Sequence, residues 1–314
     1  MVEPHPFRFG VQASSAPDRR SWIELAKDVE GRGFDVLAIP DHFDDQLAPV
    51  PALMAAASAT TELRVGALVW DNDFKHPVVL AKELATMDLL SDGRVEIGIG
   101  AGWERSDYDS SGIPYDRAGI RVDRFIEAIS IIKGHFAEGG FSRKGSYYNV
   151  TDLDGLPKPV QRPHPPILIG AGGPRMLRIA AREANIVGIN PTLTAGIVDE
   201  SVIASMSSSA VAAKIDIVRQ AAGDRMADIE LNIRTFTVSI EDTVERAIDA
   251  VQAHLPRPVP PAFLLDSPFA LIGPPSKLIE DLLERREKWG LSYVIVGPEN
   301  IESFAPVVEA LNGR

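Results

Sequence analysis

The sequence predicts a single (β/α)8 barrel, a TIM barrel that spans residues 1–314 as one domain. Short β-like apolar runs alternate with longer helical runs from end to end. The chain contains eight such strand–helix units, which is the number that forms a (β/α)8 barrel. No linker or shift in composition marks a second domain. A doubly wound sheet would need fewer strands and a reversal of strand order, so the barrel is the better interpretation.

Short apolar runs between turn signals define the predicted strands. The first ends in Gln12-Ala13-Ser14, and glycines at 31 and 33 separate the first helix from the second strand. The strands are predicted over residues 7–13, 36–40, 64–69, 95–99, 166–169, 186–189, 229–239 and 293–296.

Helical spacing of apolar residues fills the intervals between these strands. Trp22 and Val29 fall on one face of the first helix, and Pro77 suits the first turn of a helix that closes at residues 91–93. A capping box over residues 242–245 opens a later helix. Two other helices are predicted over residues 51–61 and 117–136. Two more begin at residue 174 and after residue 209, and two end at about residue 289 and at residue 311.

Two segments break this rhythm. Residues 139–162 are rich in glycine, tyrosine and proline and fit a hairpin, and residues 192–209 form a second excursion. We expect both to be insertions at the carboxyl-terminal face of the barrel that shape a substrate pocket.

The composition excludes several classes of protein. The chain has no cysteine, which rules out disulfides, thiolate chemistry and cysteine-bound metals. Its net charge of -12 argues against a nucleic-acid partner. No apolar run reaches the roughly 18 residues of a membrane span, and the first residues do not read as a secretory signal. We therefore expect a cytoplasmic enzyme that acts on a small molecule.

The residues that follow each strand are the candidates for chemistry, because catalysis in such barrels takes place at the carboxyl ends of the strands. Asp41 and His42 follow the second strand, where a histidine can act as an acid, a hydrogen-bond donor or a metal ligand. A solvated loop with a capping aspartate is the alternative. A metal site at Asp41, His42 and Asp44 is only weakly indicated, because the six histidines are scattered. We predict no metal.

Two glycine clusters follow the fourth and fifth strands, at residues 98–102 and 170–173. Neither is a proper dinucleotide fingerprint. The second leads into Pro174 and a helix, so its N–H groups could hold a phosphate, with Arg175 adding charge. For the first cluster, close packing and ligand contact are equally open.

The third strand ends in a segment with two aromatic residues. Trp70 and Phe74 could wall a flat ligand, although core packing is the better interpretation for Phe74. His76, before Pro77, is expected to cap the helix or support the loop.

Taken together, several segments resemble the bacterial luciferase-like superfamily, in the right order and over nearly the whole chain. They lie at residues 33–35, 40–43, 65–66, 76–77, 90–94, 98–103, 152–165 and 166–174. The branch that they resemble most uses the deazaflavin coenzyme F420. The resemblance implies a barrel, a homodimer, and a deazaflavin or flavin ring at the carboxyl-terminal mouth.

The resemblance also implies roles for particular residues. A non-prolyl cis peptide between Leu68 and Val69 would lie against the ring, and Asp41 and His42 would contact the coenzyme and the substrate. The phosphate loop would be Gly170, Ala171, Gly172 and Gly173. From their places after the strands, we also predict cofactor contacts for Trp70, Gly102, Trp103 and Arg175.

The sequence departs from the family pattern at one position. Trp103 stands where some F420 enzymes of the superfamily have a catalytic glutamate, and Glu104 is expected to point elsewhere. His42, oriented by Asp41, is therefore the candidate for proton transfer.

The sequence-based hypothesis is an F420-dependent oxidoreductase that transfers hydride between deazaflavin C5 and a small organic substrate. The Asp41-His42 pair favours F420, because many flavin-using members have glutamate at the first position. The alternatives are an FMN-dependent luciferase-like monooxygenase and, from other classes, a metal-dependent hydrolase or a cofactor-binding barrel without turnover.

Overall fold

The computed structural model describes residues 5–193, 196–197, 199–255 and 258–314. The strands are β1 Arg8–Gln12, β2 Val36–Ile39, β3 Arg64–Ala67, β4 Trp70–Asp71, β5 Val95–Gly100, β6 Gly140–Lys144, β7 Asn149–Asp154, β8 Ile167–Ala171, β9 Ile186–Ile189, β10 Glu230–Arg234, β11 Thr237–Ser239, β12 Ala270–Ile272 and β13 Leu291–Val296. The helices are α1 Arg19–Gly31, α2 Pro49–Ala59, α3 Pro77–Leu90, α4 Arg105–Ser111, α5 Ala118–Phe136, α6 Pro174–Glu183, α7 Glu200–Ala204, α8 Ser208–Ala222, α9 Val244–His254, α10 Pro261–Asp266, α11 Pro275–Trp289 and α12 Ile301–Leu311.

Eight parallel strands form a closed barrel and confirm the predicted (β/α)8 fold. They pair in the order β3-β2-β1-β13-β10-β9-β8-β5, and pairing of β3 with β5 closes the ring. Every residue of β2, β5, β9 and β13 is buried, as expected for strands covered on both faces. The two-residue strand β4 continues the third strand beyond Leu68–Val69 and pairs with β5.

The helix starts follow local capping rules. The His76 ring accepts a hydrogen bond from the Val78 amide at 3.3 Å, so it caps α3 as predicted. At α9 the cap is Thr243, whose side chain accepts from the Arg246 amide at 3.3 Å, one residue later than the predicted box.

Charged side chains close the amino-terminal end of the barrel. Glu96, at the start of β5, accepts hydrogen bonds from Arg8 at 2.6 Å and from Arg64 at 2.8 Å, and Arg8 also pairs with Glu230 at 2.9 Å. Burial alone would raise the pKa of Glu96, but the two guanidinium groups hold it below its ordinary value. This network of ion pairs fills the amino-terminal end of the barrel interior, which is called the floor of the barrel below.

The first excursion is a hairpin, as predicted, but it does not begin at the predicted face of the barrel. Strands β6 and β7 pair antiparallel and begin after α5, on the amino-terminal side of the barrel, because the insertion follows a helix rather than a strand. The hairpin runs back along α5, where backbone amides of its tip (146–148) donate to Glu127. The tip reaches the other face, where the Tyr148 ring lies 5.1 Å from that of His76.

The second excursion lies at the carboxyl-terminal face, as predicted. It contains α7, and residues 194, 195 and 198 lie outside the described residues. The Gly196 carbonyl accepts from the Arg105 amide at 3.3 Å, so the segment contacts the start of α4, which follows β5.

The predicted seventh strand, 229–239, is wrong in its second half. It divides into β10 and β11, and β11 pairs with β12 in a separate two-stranded sheet. Thr235 bonds twice to the Ile295 carbonyl, after which the Phe236 amide donates to Phe269, so the chain leaves the barrel here. No helix in the described ranges is long and apolar enough to cross a membrane.

Candidate functional site

The open end of the barrel carries the candidate site, and glycines shape its rim. The peptide bond between Leu68 and Val69 is cis, as the resemblance implies. A side chain at Gly98 would collide with the Ala67 carbonyl, and one at Gly100 would come within 2.8 Å of Val69 Cγ2. Gly102 has a φ of 76° and faces the Tyr108 hydroxyl. Close packing therefore accounts for the first glycine cluster.

His42 is held by a residue that the sequence did not indicate. Its Nδ1 lies 2.7 Å from Oδ2 of Asp107, whose Oδ1 accepts from the Phe43 amide at 2.9 Å. Because a carboxylate only accepts hydrogen bonds, Nδ1 carries the hydrogen and Nε2 is left for a ligand. The predicted orientation of His42 by Asp41 is therefore wrong. Asp107 lies on α4, a short helix that the apolar pattern did not predict.

Asp41 instead bonds to the loop that follows the third strand. Its Oδ2 accepts from the Asp71 amide at 3.2 Å, and burial raises the pKa of Asp41 to about 6. Asp71 accepts from the Asp73 amide at 2.8 Å and from the Tyr108 hydroxyl at 3.0 Å, and burial raises its pKa to about 7. Two carboxyl groups at this end of the barrel therefore bind protons more tightly than an exposed aspartate does.

Arg124 anchors the same loop to α5. Its Nη2 lies 2.7 Å from Oδ2 of Asp73, and its Nη1 lies 2.8 Å from Oδ2 of Asp116. The Asp73 side chain is 1% exposed, so this carboxylate depends on Arg124 for its charge compensation. The pair fixes the segment from which Asp71 reaches Asp41.

The second glycine cluster ends at an open helix terminus. Gly173 precedes Pro174 of α6. Among the residues that the structure describes, no side chain caps this helix and no atom lies within 4 Å of the position that a Gly173 side chain would take. First-turn N–H groups of a helix lack intrahelical partners and attract anions. Gly172 packs against the Pro191 carbonyl, and the Thr192 hydroxyl donates to the Gly172 carbonyl at 3.1 Å. The loop 170–173 thus fits a phosphate group, and the buried Ala171 anchors this loop in the core.

Two predicted cofactor residues are placed differently. Arg175 forms an ion pair with Asp123 and donates to the Gly119 carbonyl at 3.3 Å, so its charge is already compensated beside the loop. Trp70 is 1% exposed and belongs to the core, so it does not wall an open cleft. Buried aromatic packing is the reason that this prediction was wrong.

Trp103 lies beside His42 at the mouth. The two rings meet edge to face with centroids 6.0 Å apart. The Glu104 carboxylate accepts from the Ser106 hydroxyl at 3.0 Å, on the exposed start of α4. Phe74 packs on Phe43 at 4.5 Å. Within the described ranges, no group of three or more His, Asp or Glu side chains could hold a metal ion, and Asp41, His42 and Asp44 do not form one.

A flat cofactor that carries a phosphate fits these features. The opening at Gly173 suits the phosphate, and Val69, Trp103 and His42 lie at the same end of the barrel.

Comparison with known proteins assigns the family. A family model described as luciferase-like monooxygenase matches residues 4–292. The chain belongs to this family.

Its relatives divide between two cofactors. Over 249 residues the chain is 27% identical to the FMNH(2)-dependent dimethylsulfone monooxygenase of Pseudomonas putida, covering 76% of this chain and 64% of that protein. Over 188 residues it is 34% identical to the F420-dependent glucose-6-phosphate dehydrogenase of Microbacterium testaceum, covering 57% of this chain and 55% of that protein. These alignments span less than two thirds of either relative.

The fold extends over a whole solved structure. The coenzyme F420-dependent tetrahydromethanopterin reductase from Methanopyrus kandleri superposes with a TM-score of 0.79 at 20% identity, with 98% of both chains covered. At this identity the likeness concerns the fold.

Proposed function

We propose that this luciferase-like protein is a coenzyme F420-dependent oxidoreductase that moves hydride between the deazaflavin and a small organic substrate. The observation that carries the proposal is the placement of His42, fixed by Asp107 with Nε2 left for a ligand, at the same end of the barrel as the open helix terminus at Gly173. A proton-handling group and an anion seat around one cleft are what a phosphate-bearing redox cofactor and its substrate require.

In the proposed reaction each group has a separate role in cofactor binding, ring support or proton transfer. F420, when bound, supplies C5 as the carbon that accepts or gives the hydride. The N–H groups at Gly172 and Gly173 hold the phosphate, Leu68 and Val69 support one face of the ring, and Trp103 walls the cleft. His42 Nε2 holds the proton that the substrate gains or loses, and Asp107 positions the imidazole for this transfer.

Two lines of support favour F420. Three curated relatives that are 31–34% identical over 171 to 195 residues are F420-dependent glucose-6-phosphate dehydrogenases. The Asp41-His42 sequence resembles the F420 branch. The second candidate is an FMN-dependent monooxygenase, which is supported by the wider coverage of the dimethylsulfone monooxygenase alignment.

A side-by-side titration tests the proposal. The protein is titrated with F420 and with FMN, and binding is followed by the fluorescence of its four tryptophans, of which Trp103 lies at the mouth. We expect micromolar binding that is selective for F420. Tighter binding of FMN, with oxygen consumed in the presence of reduced flavin, would replace the proposal by the second candidate. Binding of neither cofactor would overturn both.

We also propose a homodimer, on the basis of the resemblance. Light scattering behind size exclusion at micromolar concentration is expected to give twice the chain mass, and the mass of one chain would contradict it.

A further inference from the structure

Arg234 lies at the open end of the barrel, tied to residues on both sides of it. Its Nε donates to Oε1 of Gln12 at 2.9 Å, and Nε2 of Gln12 donates to the Leu68 carbonyl at 2.7 Å. Gln12 ends β1, whereas β10 lies two strands away on one side and β3 two strands away on the other. The Gln12 side chain contacts residues of both β10 and the segment after β3, so it must lie in the barrel interior. Arg234, which donates to Gln12, therefore points into the mouth on the side of Leu68.

The guanidinium of Arg234 has no carboxylate partner among the residues that the structure describes. Its second contact is the carbonyl of Thr235, which leaves Nη2 without an acceptor in those ranges. Burial lowers the pKa of Arg234, and the charge of Glu299 offsets this only in part. Arg8, Arg64 and Arg124, by contrast, are each paired with a carboxylate.

An exposed aromatic ring adjoins this charge. The guanidinium carbon of Arg234 lies 5.6 Å from the ring centroid of Phe236, which is 54% exposed and stacks on Phe269 at 5.8 Å. The mouth therefore offers a planar set of N–H donors next to an apolar surface.

We propose that Arg234 binds the anionic group of the substrate, and that the substrate is a small organic acid with a carboxylate, sulfinate or sulfonate on an apolar body. The inference rests on the proposed function and names its substrate class. With Nε and Nη1 donating within the protein, Nη2 is left to donate its N–H groups to the oxygens of such a group, and the apolar body would lie on Phe236.

The cofactor phosphate is the other anion that could use this charge. Its seat at Gly173 follows β8, whereas Arg234 follows β10 and is tied through Gln12 to Leu68, which in the proposed function supports the reacting ring. The geometry places Arg234 with the substrate.

A matched pair of probes tests the inference. Benzenesulfonate and methyl phenyl sulfone have similar size and shape but differ in charge. Their binding is measured by calorimetry on the protein, alone and saturated with F420, for the wild type, Arg234→Gln and Arg234→Lys. Arg182→Gln removes an exposed charge from the last turn of α6 and serves as the control. Circular dichroism confirms that each variant is folded.

We expect the wild type and the control to bind the sulfonate at least about 10-fold more tightly than the sulfone, because a charged hydrogen-bond pair is lost with the sulfone. Arg234→Gln should abolish this difference and Arg234→Lys should retain part of it, with the Kd for F420 changed less than about 2-fold in both. Absence of discrimination in the wild type would overturn the inference and leave the proposed function standing. A weaker F420 affinity in Arg234→Gln would assign the residue to the cofactor and also overturn it. If F420 does not bind to the wild type, the proposed function fails, and with it the assignment of the anion as substrate.

Discussion

Asp107 holds His42 through a hydrogen bond of 2.7 Å between Oδ2 and Nδ1. The bond joins α4, which follows the fourth barrel strand, to the loop after the second strand. It fixes the tautomer and the direction of the imidazole, so the two residues act as one unit in the proposed chemistry.

Replacement of His42 tests the proton transfer. His42→Ala is expected to lower kcat about 10²- to 10⁴-fold, which is the usual contribution of a general acid or base. Asp107→Asn should lower kcat about 10- to 100-fold and move the pH profile of kcat, because the imidazole loses its charged partner. His254→Ala, at the exposed end of α9, is the matched control. Turnover of His42→Ala at the wild-type rate would remove His42 from the chemistry.

Asp71 should make the protein less stable as the pH rises. Its pKa is raised by burial from 3.8 to about 7, so the folded state binds the proton more tightly than the unfolded chain does. The stabilisation is full below about pH 4 and is lost as the pH rises through about 7, by up to about 4 kcal/mol in the free energy of unfolding. Asp71→Asn should flatten this part of the profile. Urea denaturation between pH 4 and 8 measures it, with Asp109→Asn on the exposed face of α4 as control; equal slopes for the wild type and Asp71→Asn would contradict the prediction.

Loss of Arg124 should destabilise the loop after the third strand. Arg124→Met leaves the buried Asp73 carboxylate unpaired, at an expected cost of about 3–5 kcal/mol in the free energy of unfolding. Arg124→Lys keeps the charge and should cost less. Chemical denaturation at neutral pH measures both, and a wild-type stability for Arg124→Met would show that Asp73 does not need its partner.

Two glycines provide a matched test of the phosphate seat. In the described part of the chain, neither Gly173 nor Gly31 has an atom within 4 Å of the position that a side chain would take, and neither has a positive φ, so alanine fits both. Gly173→Ala would fill the proposed phosphate space and should weaken cofactor binding at least about 10-fold, by loss of charged hydrogen bonds. Gly31→Ala, at the end of α1, should leave binding unchanged. Equal affinities for the two variants would place the phosphate elsewhere.

Much of the barrel could be predicted from the sequence because its strands are short apolar runs separated by helical periods. The division of 229–239 into two strands was not predicted, because the apolar pattern continues through Phe236 while the backbone bonds of Thr235 redirect the chain. The hairpin was recognised by its composition, but composition does not say along which helix it folds back.

Part of the candidate site could be predicted because the order of the strands fixes where their ends lie. Residues next to strand ends, such as His42 and Gly173, can be placed from the order of strands alone. The partner of His42 could not, because Asp107 lies on a short helix without an apolar stripe and 65 residues away in the chain. An aspartate a few residues after the glycines at 98–102 was the only signal, and the direction of its side chain depends on tertiary packing.

The floor of the barrel has a kinetic consequence. Arg8, Arg64 and Glu96 close the amino-terminal end of the barrel interior, so in the part of the chain that the structure describes the interior is reached from the carboxyl-terminal mouth. In the proposed function the ring lies between Leu68–Val69 and the substrate, so the cofactor must arrive first and depart last. Steady-state kinetics should then follow a compulsory order, in which the oxidised and reduced forms of the cofactor compete with each other and the product of the organic substrate is not competitive with the cofactor.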